Sequence, residues 1–383
     1  MSKPRILIFI DWFLPGYKAG GPIQSCANLV EHLKNDFDFW VITRDTDYCE
    51  TEPYSSVKSD TWNQLAPHLQ VFYSSAGNLK YSTLTKAAKE AKADVLFVNG
   101  VYSFYFSIMP LRIAKKLSYK TIVSARGMLA PSAIQVKGGK KKIFLKMSQL
   151  LGLYKGVSFH ATNEAEKEHI KAVFGSKQEI KVAPNFPKTA TIVSNKQHIK
   201  EQESLRLVYI ARISPEKNTL YALEVLKEYT YNGNIVFDIY GPIYNESYWS
   251  GCEQLIKALP SNIEVNYKGS LESQRVHETL QDYHALFMPT RGENFGHVIL
   301  ESLSAGRPVI ISDQTPWKEL EGLGVGFDIS LSEPYTFANK IQYMLDHTQQ
   351  DYNIISEAAY LYAKQYVQDS EAVAQNLKLF KID

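Results

Sequence analysis

At 383 residues the chain is longer than one hydrophobic core usually fills, so two domains are expected. Its 45% apolar and 21% charged residues exclude a disordered or fibrous chain, and a net charge of +2 gives no reason to expect a nucleic-acid partner. Cys26, Cys49 and Cys252 are the only cysteines and have no ligand-like spacing, which argues against a disulfide framework or a zinc site and fits a reducing compartment.

Along the chain, the first apolar run is Ile6-Leu7-Ile8-Phe9-Ile10, ending at Asp11. It is too short for a signal-peptide core or a membrane span and reads as a first buried strand. No segment approaches about 18 uninterrupted apolar residues, so a helical membrane span is not expected. Further strands are predicted near residues 39–43, 70–73, 95–99, 121–125, 157–161 and 180–183. After a break they resume near 205–211, 235–240, 263–267, 285–288, 308–312 and 326–328. Longer amphipathic stretches separate these runs, so each half reads as its own doubly wound α/β unit. Between them, Pro184-Asn185-Phe186-Pro187 and the polar Ser194-Asn195-Lys196-Gln197-His198 lose periodicity and read as the linker. Residues 350–383 return to helical spacing.

Charge is unevenly spread. Between Asp94 and Glu164 there is no carboxylate, while Arg112, Lys115, Lys116, Lys120, Arg126, Lys137, Lys140, Lys141, Lys142, Lys146 and Lys155 lie there. The segment from Lys137 to Lys142 looks like a loop entering an amphipathic helix, suited either to a solvated face or to anionic lipid or a phosphorylated acceptor. The aromatic run Val101-Tyr102-Ser103-Phe104-Tyr105-Phe106 suits an acceptor rim, a lipid contact or helix packing.

The most informative stretch runs from Thr290-Arg291-Gly292-Glu293-Asn294-Phe295-Gly296-His297 to Glu301 and Gly306-Arg307-Pro308. It reads as strand, glycine-containing loop, helix and strand, the unit in which backbone N–H groups at a helix N-terminus meet anionic oxygens. Glu293 and Glu301 are carboxylates able to accept from vicinal sugar or ribose hydroxyls. A second such corner is Arg212-Ile213-Ser214-Pro215-Glu216-Lys217-Asn218, where Arg212 and Lys217 would neutralise a diphosphate without a metal. Asp45-Thr46-Asp47 resembles an Asp-x-Asp metal site only superficially, since Asp36-Phe37-Asp38 repeats the pattern.

Taken in order, Gly20-Gly21, Pro184-Asn185, Arg212 through Lys217 and the Glu293–Glu301 pair resemble the retaining GT-B glycosyltransferases of the family-4 type over nearly the whole chain. The resemblance implies two Rossmann-like domains facing a cleft, at residues 1–187 and 188–365, with a helix over about 366–383 crossing back to the first domain. It assigns Arg212 and Lys217 to the donor diphosphate, Glu301 to the ribose, and Glu293, Asn294, Phe295 and Gly296 to the sugar and adjacent phosphate. Gly20 and Gly21 would let backbone approach the sugar-phosphate, unless they only make a tight turn. The base would lie near Gly241-Pro242 or Lys268-Gly269. Where many relatives carry a histidine, this chain has Arg126-Gly127-Met128-Leu129, so Arg126 is expected either to face phosphate or to make a structural ion pair. His160 and His297 read as packed or surface histidines.

The implied activity is transfer of a hexose-type sugar from a UDP- or GDP-linked donor to a glycan or lipid-linked acceptor, with no cofactor. Catalysis would rest on Glu293, Arg212, Lys217 and Arg126. The expected location is the cytoplasm, with peripheral contact to anionic membrane through Lys137, Lys140, Lys141, Lys142 and Lys146. A nucleotide-sugar epimerase and a catalytically idle scaffold of the same fold are the competing readings.

Overall fold

The computed structural model describes residues 3–135, 138–188, 199–368 and 371–381. Two compact units divide the chain: Met1–Thr189 with Ser370–Asp383, and Ala190–Asp369.

In the first unit the strands are β1 (Arg5–Phe9), β2 (Asp38–Arg44), β3 (Trp62–Ala66), β4 (Leu69–Ser74), β5 (Val95–Asn99), β6 (Lys120–Ser124), β7 (Ser158–Ala161) and β8 (Ile180–Val182). They form one sheet in the order β3-β4-β2-β1-β5-β6-β7-β8, parallel except where β3 runs against β4. β1 shows why the sheet is covered on both faces. Ile6 and Ile8 enter one apolar cluster with Cys26, Leu29 and Phe39, while Leu7 and Phe9 enter another with Leu84, Ala88 and Leu96. Alternate side chains point to opposite faces, so an unbroken apolar run marks a strand buried on both. Full burial of each such side chain contributes about 1.5–3 kcal/mol.

β3 is the strand that sequence reasoning did not find. Trp-Asn-Gln-Leu-Ala has neither alternation nor an apolar run, and the strand is mostly solvent-facing. Trp62 pins it, packing edge-on against Trp40 at 4.6 Å and Phe72 at 5.5 Å.

The second unit carries β9 (Ser204–Ile210), β10 (Asn234–Tyr240), β11 (Ile263–Tyr267), β12 (Ala285–Met288), β13 (Val309–Ser312) and β14 (Gly326–Ile329). Their order is β11-β10-β9-β12-β13-β14, all parallel. The chain builds outward from β9 to β11, then restarts at β12 on the other side. Strand order therefore reverses between β9 and β12, and the crevice outside their carboxyl ends is where doubly wound sheets hold ligands. In the first unit the same reversal falls between β1 and β5.

The helical tail splits. Helix Gln349–Val367 belongs to the second unit, opened by a capping box between Thr348 and Asp351. Helix Glu371–Phe380 belongs to the first: Phe380 packs against Phe37 at 5.6 Å and Phe97 at 5.5 Å, and Asn376 donates to the Pro184 carbonyl at 2.9 Å. The basic stretch read as a loop entering an amphipathic helix is already helical from Gly138, over Gly138–Leu150, while Lys137 lies outside the described residues, as do Ser194 to His198 of the linker.

Candidate active site

The loops that follow β9 and β12 meet at the switch point of the second sheet, and they are tied together by their own backbones. Arg291 N–H donates to the Glu216 carbonyl at 3.0 Å, and Asn218 donates to the Pro289 carbonyl at 2.9 Å. Arg291 Nε returns a bond to Asn218 Oδ1 at 3.1 Å. Tyr209, buried at the end of β9, donates its hydroxyl to the Lys217 carbonyl at 2.9 Å. Across this joint the Lys217 ammonium is paired directly with the Glu293 carboxylate, their side chains only 16% and 14% exposed. Two residues far apart in sequence thus form one charged element, screened by solvent much less than a surface pair.

Glu293 is also held from the turn after β13, its N–H donating to the Gln314 carbonyl at 3.0 Å. Gly296 opens the helix His297–Ser304 with φ 78°, a left-handed conformation, and an added Cβ would lie 2.7 Å from Ile299 Cδ1. Only glycine meets both conditions. No side chain caps this helix, and within its first turn the Ile299 N–H donates to the Gly296 carbonyl at 2.9 Å. Phe295, beside it, is buried, with its ring against Trp317 at 5.8 Å and Tyr366 at 6.3 Å. Its carbonyl accepts from Trp317 Nε1, which leaves the ring a packing role. Glu301 is only 8% exposed on the same helix, among Leu300, Ser302 and Leu303. Asn294 sits in the loop between Glu293 and Phe295.

Arg212 follows β9 with its guanidinium 6.0 Å from the Tyr244 ring. The neighbouring loops are stitched to this one: Ile213 N–H donates to the Pro242 carbonyl at 2.9 Å and Gly241 N–H to the Gly269 carbonyl at 2.8 Å. Lys268 pairs with the buried Asp238 at 3.6 Å, and Asp238 also accepts from Tyr283 at 2.7 Å.

In the first unit Gly20 precedes the helix Gly21–His32 with φ 70° and ψ −128°, reachable only by glycine, and no side chain caps the helix. A Cβ on Gly20 or Gly21 would meet nothing within 4 Å, so packing does not require glycine at either position. Arg126, at the end of β6, sends Nε to Asn99 Oδ1 at 2.7 Å and Nη1 to Asn185 Oδ1. No ion pair among the described residues involves it, so its charge is held by neutral amides rather than by a carboxylate. His160 lies close by, bonded to Ser124 at 2.9 Å and the Ala183 carbonyl at 2.8 Å. Burial, reinforced by Arg126, pushes its pKa down to about 3, so the imidazole is neutral and structural. His297 stacks obliquely on Phe295 at 4.7 Å.

Asp45 and Asp47 are occupied by the fold. Asp47 accepts from the N–H groups of Tyr17 at 3.0 Å and Tyr48 at 2.7 Å, and Asp45 from the Ser59 hydroxyl at 2.8 Å. Among the described residues no group of three metal-ligating side chains comes together, and no helix is long and apolar enough to cross a membrane. Sequence reasoning missed Asn218, Arg291 and Trp317 as organisers of the loops after β9 and β12, and Asn99 and Asn185 as partners of Arg126. Arg291 had a signal in its place two residues before Glu293. The others have meaning only through partners distant in the chain.

Two doubly wound parallel-sheet units define the GT-B architecture, and the chain is a glycosyltransferase of that fold. Residues 192–361, in the second unit, match the glycosyl transferases group 1 family model. The chain is 15% identical to Anabaena HepE, seen in complex with UDP and glucose, with a TM-score of 0.71 over 98% of each chain. It superposes on WaaG, a glycosyltransferase involved in lipopolysaccharide biosynthesis, with a TM-score of 0.67 at 12% identity, covering 98% of this chain and 100% of that one. A 41.2 kDa uncharacterised protein in the cps region of Klebsiella pneumoniae is 22% identical over 318 residues, 79% of this chain and 82% of that protein.

Proposed function

We propose that this glycosyltransferase moves a hexose-type sugar from a nucleoside-diphosphate sugar to a glycan or lipid-linked acceptor in cell-surface polysaccharide synthesis, with retention of anomeric configuration. The observation that carries the reading is the Lys217–Glu293 pair, set across the switch point beside the uncapped N-terminus of helix His297–Ser304. An ammonium has three donors, so Lys217 can keep Glu293 and still reach phosphate oxygens. Glu293, oriented by Lys217, has acceptor capacity left for sugar hydroxyls, and buried Glu301 is suited to a ribose.

Arg212, Lys217 and the helix N–H groups would together stabilise the departing diphosphate, replacing a metal ion and requiring no cofactor. In the retaining step the anomeric carbon loses its bond to the phosphate oxygen as the acceptor oxygen adds from the same face. The acceptor proton passes to the departing phosphate, so no side-chain base is needed. Gly21, where neither packing nor a positive φ requires glycine, and Gly20, where the backbone conformation does, both leave room for close backbone approach of the sugar-phosphate, and Arg126 adds fixed positive charge to the first unit. The base would meet the stitched loops around Gly241 and Gly269. HepE's complex with UDP and glucose favours a UDP-linked donor over a GDP-linked one, and the cps region and lipopolysaccharide relatives favour a polysaccharide acceptor.

The free thiols of Cys26, Cys49 and Cys252 support a cytoplasmic location. A lipid-linked acceptor would bring the enzyme to the inner face of the plasma membrane, met through Lys140, Lys142 and Lys146. Thermal shift and calorimetry against UDP, GDP, ADP and dTDP, with and without magnesium, test the donor half. One nucleotide should bind without metal, stabilising the protein by about 2.7 kcal/mol at a hundred times its Kd. Arg212→Ala should weaken it about tenfold or more, as loss of a charge-assisted bond requires. If no nucleotide binds, the idle-scaffold reading replaces this one.

A further inference from the structure

Helix Gly138–Leu150 has two apolar faces, and only one of them is used by the fold. Phe144, Leu145 and Ser148 turn inward: Leu145 and Ser148 are buried, and Phe144 packs on Tyr102 at 5.7 Å. On the other side, at helical spacing, Ile143 is 64% exposed, Met147 51%, Leu150 86% and, in the turn just beyond, Leu151 71%. These are large apolar side chains in a contiguous stripe, which soluble surfaces rarely present without a partner. Lys140, Lys142 and Lys146 are exposed on the same helix. Lys141 is not part of this surface. Its ammonium bonds to the Ala133 carbonyl and lies 5.2 Å from the Tyr102 ring, fastening the helix to the unit beneath.

We infer that this stripe is a membrane-docking surface: Ile143, Met147, Leu150 and Leu151 insert among the acyl chains of an anionic bilayer while Lys140, Lys142 and Lys146 engage its headgroups. The inference deepens the membrane-side part of the function proposed above and rests on it. Two properties select a bilayer over the other occupants. A protruding apolar stripe bordered by lysines matches an interface whose outer layer is anionic and whose interior is hydrocarbon. A second copy would bring the same lysines against each other across a two-fold axis, with no carboxylate on this helix to neutralise them. The aromatic run serves as the support of this helix through Tyr102, the packing role among those its sequence allowed.

Co-sedimentation of the full chain with phosphatidylcholine vesicles, with and without about one third phosphatidylglycerol, tests this. Binding is expected only to the anionic vesicles and should fall at about 0.5 M salt, where the screening length drops to a few ångströms. Leu150→Ser with Leu151→Ser should weaken binding about tenfold or more, the loss of two inserted side chains. Lys142→Ala with Lys146→Ala should weaken it about tenfold as well. Unchanged thermal melts of these surface variants would show that the fold is intact. Absence of vesicle binding, equal binding to neutral vesicles, or wild-type dimers that the leucine pair dissolves would each overturn the inference. Nucleotide binding is read separately by calorimetry, so a failed donor reading and a failed docking surface remain distinguishable.

Discussion

Lys217, at the carboxyl edge of the second sheet, is paired with the Glu293 carboxylate, whereas Arg126, at the same edge of the first sheet, is held by the side-chain oxygens of Asn99 and Asn185. The first arrangement is a neutral pair with polar valences to spare, so a ligand can be accepted without stranding a buried charge. The second keeps its positive charge uncompensated at contact distance. Its field is felt by its surroundings: it adds to burial in holding His160 neutral, and it opposes the burial that pushes the Cys26 thiol up to about 12. One cation is paired with a carboxylate and the other is held by amide oxygens alone.

The largest effect that would break this contrast is at Glu293. Glu293→Gln keeps the shape and removes the charge, and initial-rate measurements should show transfer reduced about a hundredfold to a thousandfold, the scale seen when an electrostatic contact to a transition state is lost. Stability should fall as well, by about 1–3 kcal/mol, because the largely buried Lys217 ammonium loses its carboxylate; near-normal turnover would remove Glu293 from the site. Arg126→Leu should act on stability with turnover retained. It leaves two amide oxygens without their donor, and urea unfolding should show a loss of about 2–3 kcal/mol. A stable variant with collapsed turnover would instead put Arg126 on a phosphate.

The smallest effect concerns pH. The unfolded chain protonates His160 near its ordinary pKa of 6.5, while the folded protein resists protonation until about pH 3. Its contribution is therefore complete above 6.5 and declines as pH falls below it, with a slope of at most about 1.4 kcal/mol per pH unit. Unfolding midpoints taken between neutrality and mild acid should fall less steeply for His160→Gln than for the wild type. Equal slopes would mean that His160 is not the buried neutral group described above.

Much of the fold was legible because parallel strands buried on both faces must be apolar throughout, as Ile6-Leu7-Ile8-Phe9 and Ala285–Met288 are. β3 was not, because an exposed antiparallel edge strand needs no apolar pattern and is decided by where Trp62 finds Trp40 and Phe72. The same division runs through the candidate site. Residues 290–306 showed a strand–loop–helix corner because glycines and a capless helix start leave a local signature.

Local chemistry, then, is what the sequence by itself determined: apolar runs, glycine-dependent turns, the placement of Arg212, Lys217 and Glu293 in loops after strands and of Glu301 on the helix that follows, and a carboxylate-free basic stretch. Tertiary structure decided the partnerships. That Lys217 meets Glu293, that Arg126 is gripped by two asparagines, that Phe295 packs inward, and that Lys141 turns to the protein while Leu150 and Leu151 turn away all depend on chain segments brought together by the sheets. Helical spacing says which residues share a face, but only the packed neighbours say which face is covered.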